Sequence, residues 1–231
     1  MVILTGDTHG EFDRIEQFCE EYETTENDVM VILGDAGINY WLDEQDEALK
    51  ERLSQLPITL FCIHGNHEER PEEVSGYELV EWRGGFVWIQ PEYPNLLFAK
   101  DGEIYQFDGK TVITIGGAYS VDKYYRLAVG APWFGTEQPD ERTKGQVMSA
   151  LNRAGWKVDY VFSHTVPLSA IPRHALLPTV DQKMVDNSTE EWLEEIAQKL
   201  DYQGWFAGHF HITWSLDRIQ ILYEDYMELD G

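Results

Sequence analysis

The chain has 231 residues, 43% hydrophobic and 13% aromatic, enough to bury a sizeable core in one domain spanning 1–231. Forty-two acidic against seventeen basic residues give a net charge of −25, which repels anionic membranes and argues against long nucleic acid as a partner. No apolar run approaches the roughly 20 residues of a membrane span, and the opening MVILTGD has no basic region, so neither an anchor nor a signal peptide is expected.

Val2-Ile3-Leu4 is a short apolar run ending in Gly6-Asp7. Phe12, Ile15, Phe18, Cys19 and Tyr22 then recur at helical spacing between acidic residues, the pattern of an amphipathic helix. The run 29–33 is apolar on both faces, as a central parallel strand should be, and ends in Gly34-Asp35. Leu49, Leu53 and Leu56 mark a second helix stopped by Pro57, and a third strand, 58–63, ends in Gly65-Asn66-His67. This β-α-β-α-β order predicts an α/β fold with a parallel sheet and right-handed crossovers.

The middle of the chain changes character. Short runs at 86–90, 95–99, 103–107 and 111–115 are separated by turn residues, with Asp108-Gly109 a strong hairpin signal, and the region reads as antiparallel. Gly116-Gly117 opens an irregular segment up to about Glu141. A helix over 144–154 follows, then a strand over 158–162 ending in Ser163-His164, then a loop punctuated by Pro167, Pro172 and Pro178. Trp192, Leu193, Ile196, Ala197 and Leu200 define a last helix, capped at Ser188 or Thr189. A strand over 204–207 leads to His209 and His211, and a hairpin pairing 213–216 with 219–223 closes the chain. Cys19 and Cys62 sit in apolar patterns and read as reduced core residues of a cytoplasmic protein.

Five strand ends thus carry Asp7 with His9, Asp35, Asn66 with His67, His164, and His209 with His211. Five of the seven histidines lie at these ends, where sites assemble in open α/β sheets. In extended chain, His209 and His211 would share one face. Two carboxylates, one amide oxygen and four imidazoles exceed the needs of one ion and suit two divalent ions sharing a carboxylate, the clamp used in phosphoester hydrolysis. His67, beside Asn66, points away from the metals in extended chain and is placed to protonate a leaving group or steady an oxyanion.

In chain order, GDTHG (6–10), GDAG (34–37), GNHE (65–68), SHT (163–165) and GHFH (208–211) resemble the calcineurin-like metallophosphoesterase family. Each block alone is weak; all five in order are specific and span nearly the whole chain. The resemblance implies a four-layer αββα sandwich of two mixed β-sheets flanked by helices. It implies that Asp7, His9 and His211 hold a first metal, that Asn66, His164 and His209 hold a second, that Asp35 bridges them, and that His67 is catalytic with Asp35. Manganese comes first among the candidate ions, ahead of Fe, Zn, Co, Ni or Mg. The implied reaction is hydrolysis of phosphomono- or phosphodiesters of small molecules or nucleotides, by in-line attack of a metal-bridging hydroxide. The alternatives are a serine/threonine phosphoprotein phosphatase and a non-catalytic scaffold relative. The phosphoprotein phosphatase branch usually carries an aspartate where this chain has Ile38 and a basic residue where it has His64, which counts against that branch. Oligomeric state is left open.

Other residues are read more plainly. Asp28 is a turn residue and Glu68 a surface or supporting carboxylate. His174 is an exposed loop residue, and His64 either touches substrate or ends its strand. Asn39-Tyr40-Trp41 is placed at the pocket rim. The segment 118–126 combines three tyrosines with Lys123 and Arg126, which raises phosphate binding with ring stacking as one reading and a structural loop as the other.

Overall fold

The computed structural model describes residues 1–229. It begins β1 (Val2–Thr5), α1 (Asp13–Tyr22), β2 (Val29–Ile32), α2 (Glu44–Leu53), β3 (Thr59–Cys62). It continues β4 (Glu78–Trp82), β5 (Gly85–Ile89), β6 (Leu96–Ala99), β7 (Ile104–Phe107), β8 (Lys110–Ile115), α3 (Lys123–Val129), α4 (Glu141–Arg153), β9 (Tyr160–Ser163). It ends α5 (Ser188–Lys199), β10 (Gly204–Ala207), β11 (Trp214–Leu216), β12 (Ile219–Ile221), β13 (Met227–Glu228). Among the described residues the first sheet has seven strands, in the order β13-β1-β2-β3-β6-β5-β4, and the second has six, β11-β12-β10-β9-β8-β7. Both are mixed: β1, β2, β3 and β6 run parallel, as do β12, β10, β9 and β8, with antiparallel strands at the margins.

Period-two alternation assigns each strand a face on two different cores. Val2, Leu4, Val29, Val31 and Phe61 of the first sheet meet Phe107, Val112, Phe162 and Phe206 of the second in the central layer. The alternate residues Ile3, Met30, Ile32, Leu60 and Cys62 pack outward against Phe12, Ile15, Phe18 and Leu53 from α1 and α2. On the far side, Ile113, Val161 and Trp205 pack against Val147, Leu151, Trp192 and Ile196 from α4 and α5. The result is the four-layer αββα sandwich. Side-chain caps start two of its helices: Asp43 accepts from the Gln45 amide, and Asp140 from the Thr143 amide.

Several elements depart from the sequence reading. The middle region is not wholly antiparallel, because β6 pairs parallel with β3, and β8 with β9. These strands deliver the chain from the first sheet into the second, a long-range pairing that hairpin signals do not encode. The edge strand β4 went unread because its pattern is mostly exposed. The segment after Gly117 contains the seven-residue helix α3, which has no side-chain cap to announce it. The cap of α5 is Asn187, one residue before the expected pair. Among the described residues no helix is long and apolar enough to cross a membrane.

Candidate metal centre

β1, β2 and β3 of one sheet and β9 and β10 of the other end at the same edge of the sandwich, and the loops that follow carry every motif residue. Those loops are stitched together. The amides of Thr8 and His9 donate to the Asp35 carbonyl at 3.1 and 2.8 Å. Oδ1 of Asp35 accepts the His67 amide at 2.7 Å, and Oδ1 of Asp7 accepts the His209 amide at 2.9 Å. Each aspartate thus accepts a backbone amide through Oδ1; in Asp7 the other oxygen is kept for the centre, while Oδ1 of Asp35 also faces Nε2 of His164 at 3.5 Å. Oδ2 of Asp7 is buried with no hydrogen-bond partner.

Donor atoms converge in three groups, each within 4.8 Å: Asp7, His9 and His211; Asp7, Asp35 and His164; His9, Asp35 and His67. Nε2 of His211 lies 3.3 Å and Nε2 of His9 3.7 Å from Oδ2 of Asp7, and the two Nε2 atoms are 2.9 Å apart. His209 falls outside these groups; its ring packs on His164 at 5.0 Å between centroids. Asn66 joins through Oδ1, 2.8 Å from Nε2 of His164. His9, Asp35, His209 and His211 all have positive φ, from 49 to 70°, so backbone strain is concentrated at this edge. That corrects one premise of the sequence reading. β10 ends at Ala207, and the two histidines are aimed by bends rather than by strand alternation.

The donor set fits a cation. Nδ1 of His164 contacts the Leu33 carbonyl at 2.9 Å and must carry hydrogen there. Nε2 then faces two acceptors, Oδ1 of Asn66 at 2.8 Å and Oδ1 of Asp35 at 3.5 Å. The Asn66 amide is held in that orientation because Nδ2 donates to Oγ of Ser120 at 3.0 Å. Three lone pairs aimed at one another need either a second proton on the ring or a metal ion among them. The metal-free electrostatics show the same conflict. Burial lowers the His164 pKa, but Asp35 and Asp7 outweigh it and raise it to about 9. Burial raises the Asp35 carboxyl, yet His164, His67 and His9 hold it well below its ordinary value. For His209 burial and the neighbouring His164 charge both act downward, to about 3, which keeps its ring neutral.

Glycines leave room for this crowding. A Cβ at Gly34 would collide with the His164 ring, and one at Gly65 with the Asp35 carboxylate.

Some neighbouring residues fall as expected and others do not. Glu68 is not at the surface: it is 1% exposed and accepts the amides of Gly65 at 2.9 Å and Gly37 at 3.1 Å, bracing the loops after β3 and β2. Burial and the Asp35 charge raise its pKa to about 7. Tyr40 does reach the site, its ring nearly parallel to His67 at 6.4 Å, whereas Asn39 is fully buried and accepts from the Tyr77 hydroxyl. Lys123 and Arg126 are engaged by the protein. Lys123 lies over the Trp133 ring, and buried Arg126 donates to the Pro132 carbonyl and to Oγ of Ser120. His64 is buried behind the loop. His174 is exposed and its ring lies 5.5 Å from Trp214. Asp28 is a turn residue that also pairs with the N-terminal amine. The residue no sequence signal singled out is Asp122, whose Oδ1 lies 3.6 Å from Nε2 of His67. Ile38, at the position where the phosphoprotein phosphatase branch usually carries an aspartate, is fully buried in the apolar layer under α1 and α2.

Similarity to known proteins agrees with this geometry. An uncharacterized protein of Haemophilus influenzae is 31% identical over 86 residues, a match covering 36% of this chain and 33% of that protein. The crystal structure of TT1561 from Thermus thermophilus superposes with a TM-score of 0.51 at 11% identity, covering 96% of this chain and 87% of that one. The family model for calcineurin-like phosphoesterases matches residues 1–213. Motif order, sandwich and converging donors therefore lead to one assignment: this chain belongs to the calcineurin-like phosphoesterase family.

Proposed function

We propose that the chain is a dinuclear metal-dependent hydrolase of small phosphoesters or nucleotides, working in the cytoplasm with manganese as the first candidate ion. The observation that carries this reading is the confrontation of acceptors at His164, Asn66 and Asp35, 2.8 and 3.5 Å apart, which a divalent cation resolves. In this reading Asp7, His9 and His211 would hold one ion and Asn66, His164 and His209 the other, with Asp35 available to both. Bound divalent ions supply polarisation of the phosphoryl oxygens and activation of the attacking water.

The protein's own groups do the rest. Oδ1 of Asp7 and of Asp35, by holding the His209 and His67 amides, fix the ligand loops before substrate arrives. His67 borders the cavity over the centre and delivers a proton to the departing oxygen. Asp122 steadies the proton-bearing ring. Free, buried Cys19 and Cys62 fit a reducing compartment.

The test is metal analysis of the purified protein together with hydrolysis of aryl phosphate mono- and diesters under added Mn²⁺. We expect two bound ions and metal-dependent turnover. Asp35→Asn should abolish turnover and reduce bound metal; His67→Ala should keep both ions and slow hydrolysis by roughly 10²- to 10⁴-fold. Hydrolysis that persists after complete chelation would overturn the reading.

A further inference from the structure

A cavity of about 340 Å³ opens directly over the centre, bordered by Asp35, Asn66, His67, His209 and His211. That volume lies in the range of small-molecule sites and exceeds what a phosphoryl group alone needs. Its remaining wall is mostly apolar: Val121, Ile171, Leu176, Leu177 and Val180 come from segments that hold no motif residue, and Phe210 stands between the motif residues His209 and His211. Leu177 is 58% and Val121 43% exposed, so apolar side chains beside a polar centre stand in water until something covers them.

Charge narrows what that something is. The wall has one cation, Arg173, against three carboxylates, Asp35, Asp122 and Glu190. Arg126 does not line the cavity: it donates to the Pro132 carbonyl and to Oγ of Ser120, and its Nη1, 3.8 Å from Oδ1 of Asp122, partly offsets that carboxylate from behind the wall. Divalent ions at the centre, with Asp35 among their ligands, would meet the reacting phosphoryl group, but the further phosphates of a nucleoside di- or triphosphate would lie along the wall, where Arg173 is the one lining cation beside Asp122 and Glu190. An uncharged hydrocarbon moiety meets no such penalty and gains by leaving water.

We infer that this cavity is the binding site for the organic part of the substrate, and that the substrate is a phosphoester of an extended apolar alcohol rather than a nucleotide. The inference rests on the hydrolase reading above, because the phosphoryl end is taken to sit at the metal centre. Recognition is then divided, with the centre holding the phosphoryl group and the walls from 119–122 and 171–185 grading the organic group by its apolar length.

Non-hydrolysable alkylphosphonates test this by calorimetry on the intact, Mn²⁺-loaded chain. From methyl to butyl to octyl, Kd should fall about three- to fourfold per buried methylene, with a heat-capacity change that grows more negative. Octylphosphonate should bind more tightly than AMP. The double variant Leu177→Ser with Val180→Asn, on an exposed loop, should cut the octyl-to-methyl affinity ratio at least tenfold. Affinity independent of chain length, tighter AMP binding, or an unchanged ratio in the folded variant each overturns the assignment. The two readings fail separately. Chain-length-dependent binding without any aryl phosphate hydrolysis removes the hydrolase and keeps the cavity; metal-dependent hydrolysis without chain-length dependence does the reverse.

Discussion

The backbone amide of His209 donates to Oδ1 of Asp7 at 2.9 Å, joining the end of β1 in one sheet to the end of β10 in the other. Oδ2 of the same carboxylate is buried without a hydrogen bond of good geometry and faces Nε2 of His211 at 3.3 Å and of His9 at 3.7 Å. One side chain therefore does two separable jobs. Asp7→Asn keeps an oxygen for the His209 amide and removes the charge. It should melt close to wild type without metal but lose most of the stabilisation that added Mn²⁺ gives the wild-type chain. Asp7→Ala also strands the amide and should cost about 1–3 kcal/mol in metal-free urea unfolding. Equal metal-free stability for the two variants would show that the clamp does not contribute.

Glu68 gives a pH dependence whose sign is fixed. Its folded pKa is raised to about 7 from an ordinary 4.5, so the folded chain holds this proton more tightly than the unfolded chain. The stabilisation is present in full below pH 4.5 and is lost as pH rises to about 7, by about 3 kcal/mol for the group. Denaturant unfolding of the metal-free protein should show this loss between those pH values. Glu68→Gln should flatten it while lowering stability at acid pH, because its side-chain amide offers one accepting oxygen to the two backbone amides of Gly37 and Gly65, and its NH2 group accepts none. The same slope in wild type and variant would remove Glu68 as its source.

The contrast between Glu68 and Asp122 explains what the sequence could and could not disclose. Glu68 stands inside a block whose neighbours were readable, and only its burial was missed, because one charged residue after a strand is usually a surface residue. Motif residues were legible because each strand end is written locally as an apolar run, a tight turn and a polar group. Burial on both faces of β1 to β3 was legible as continuous apolar runs, but which residues face which core was not, because nothing polar alternates with them. Asp122 is different. It lies at the start of α3, a helix with no cap signal, and reaches His67 only through folding of the long segment between the sheets. Nothing in its neighbours records that meeting. The parallel pairing of β6 with β3 was illegible for the same reason, since register between distant strands is set by the packed layers and not by local turn chemistry.

Asp122 should orient His67 without touching metal. Its Oδ1 has no hydrogen-bond partner of normal length and lies 3.6 Å from Nε2 of His67. Asp122→Asn should leave bound metal unchanged and lower kcat roughly tenfold, the low end for a group that orients an imidazole, with KM nearly constant. Asp122→Glu, which restores the charge on a longer arm, should recover part of that loss. A change confined to KM would assign Asp122 to substrate binding instead.

Arg70 and Asp101 form a buried ion pair beneath the same loops. Nη1 donates to Oδ2 at 2.7 Å, and the residues are 7% and 8% exposed. The pair is wired into backbone on both sides: Nε of Arg70 donates to the Thr136 carbonyl at 3.0 Å, and Oδ1 of Asp101 accepts the Gly116 amide at 2.6 Å. The Gly117 amide in turn reaches the His64 carbonyl at 2.8 Å, behind the block that carries Asn66 and His67. Removing one partner leaves the other charge buried and uncompensated, so Arg70→Met should cost about 3–5 kcal/mol in urea unfolding. Adding Asp101→Asn to it keeps an acceptor for Gly116 and removes the stranded charge, and should return part of the loss. If the double variant is no more stable than Arg70→Met, the cost lies in the severed backbone contact to Thr136 and not in the stranded charge of Asp101. Measuring bound Mn²⁺ in both variants then separates loss of fold from loss of the metal loops, since the pair touches no ligand directly.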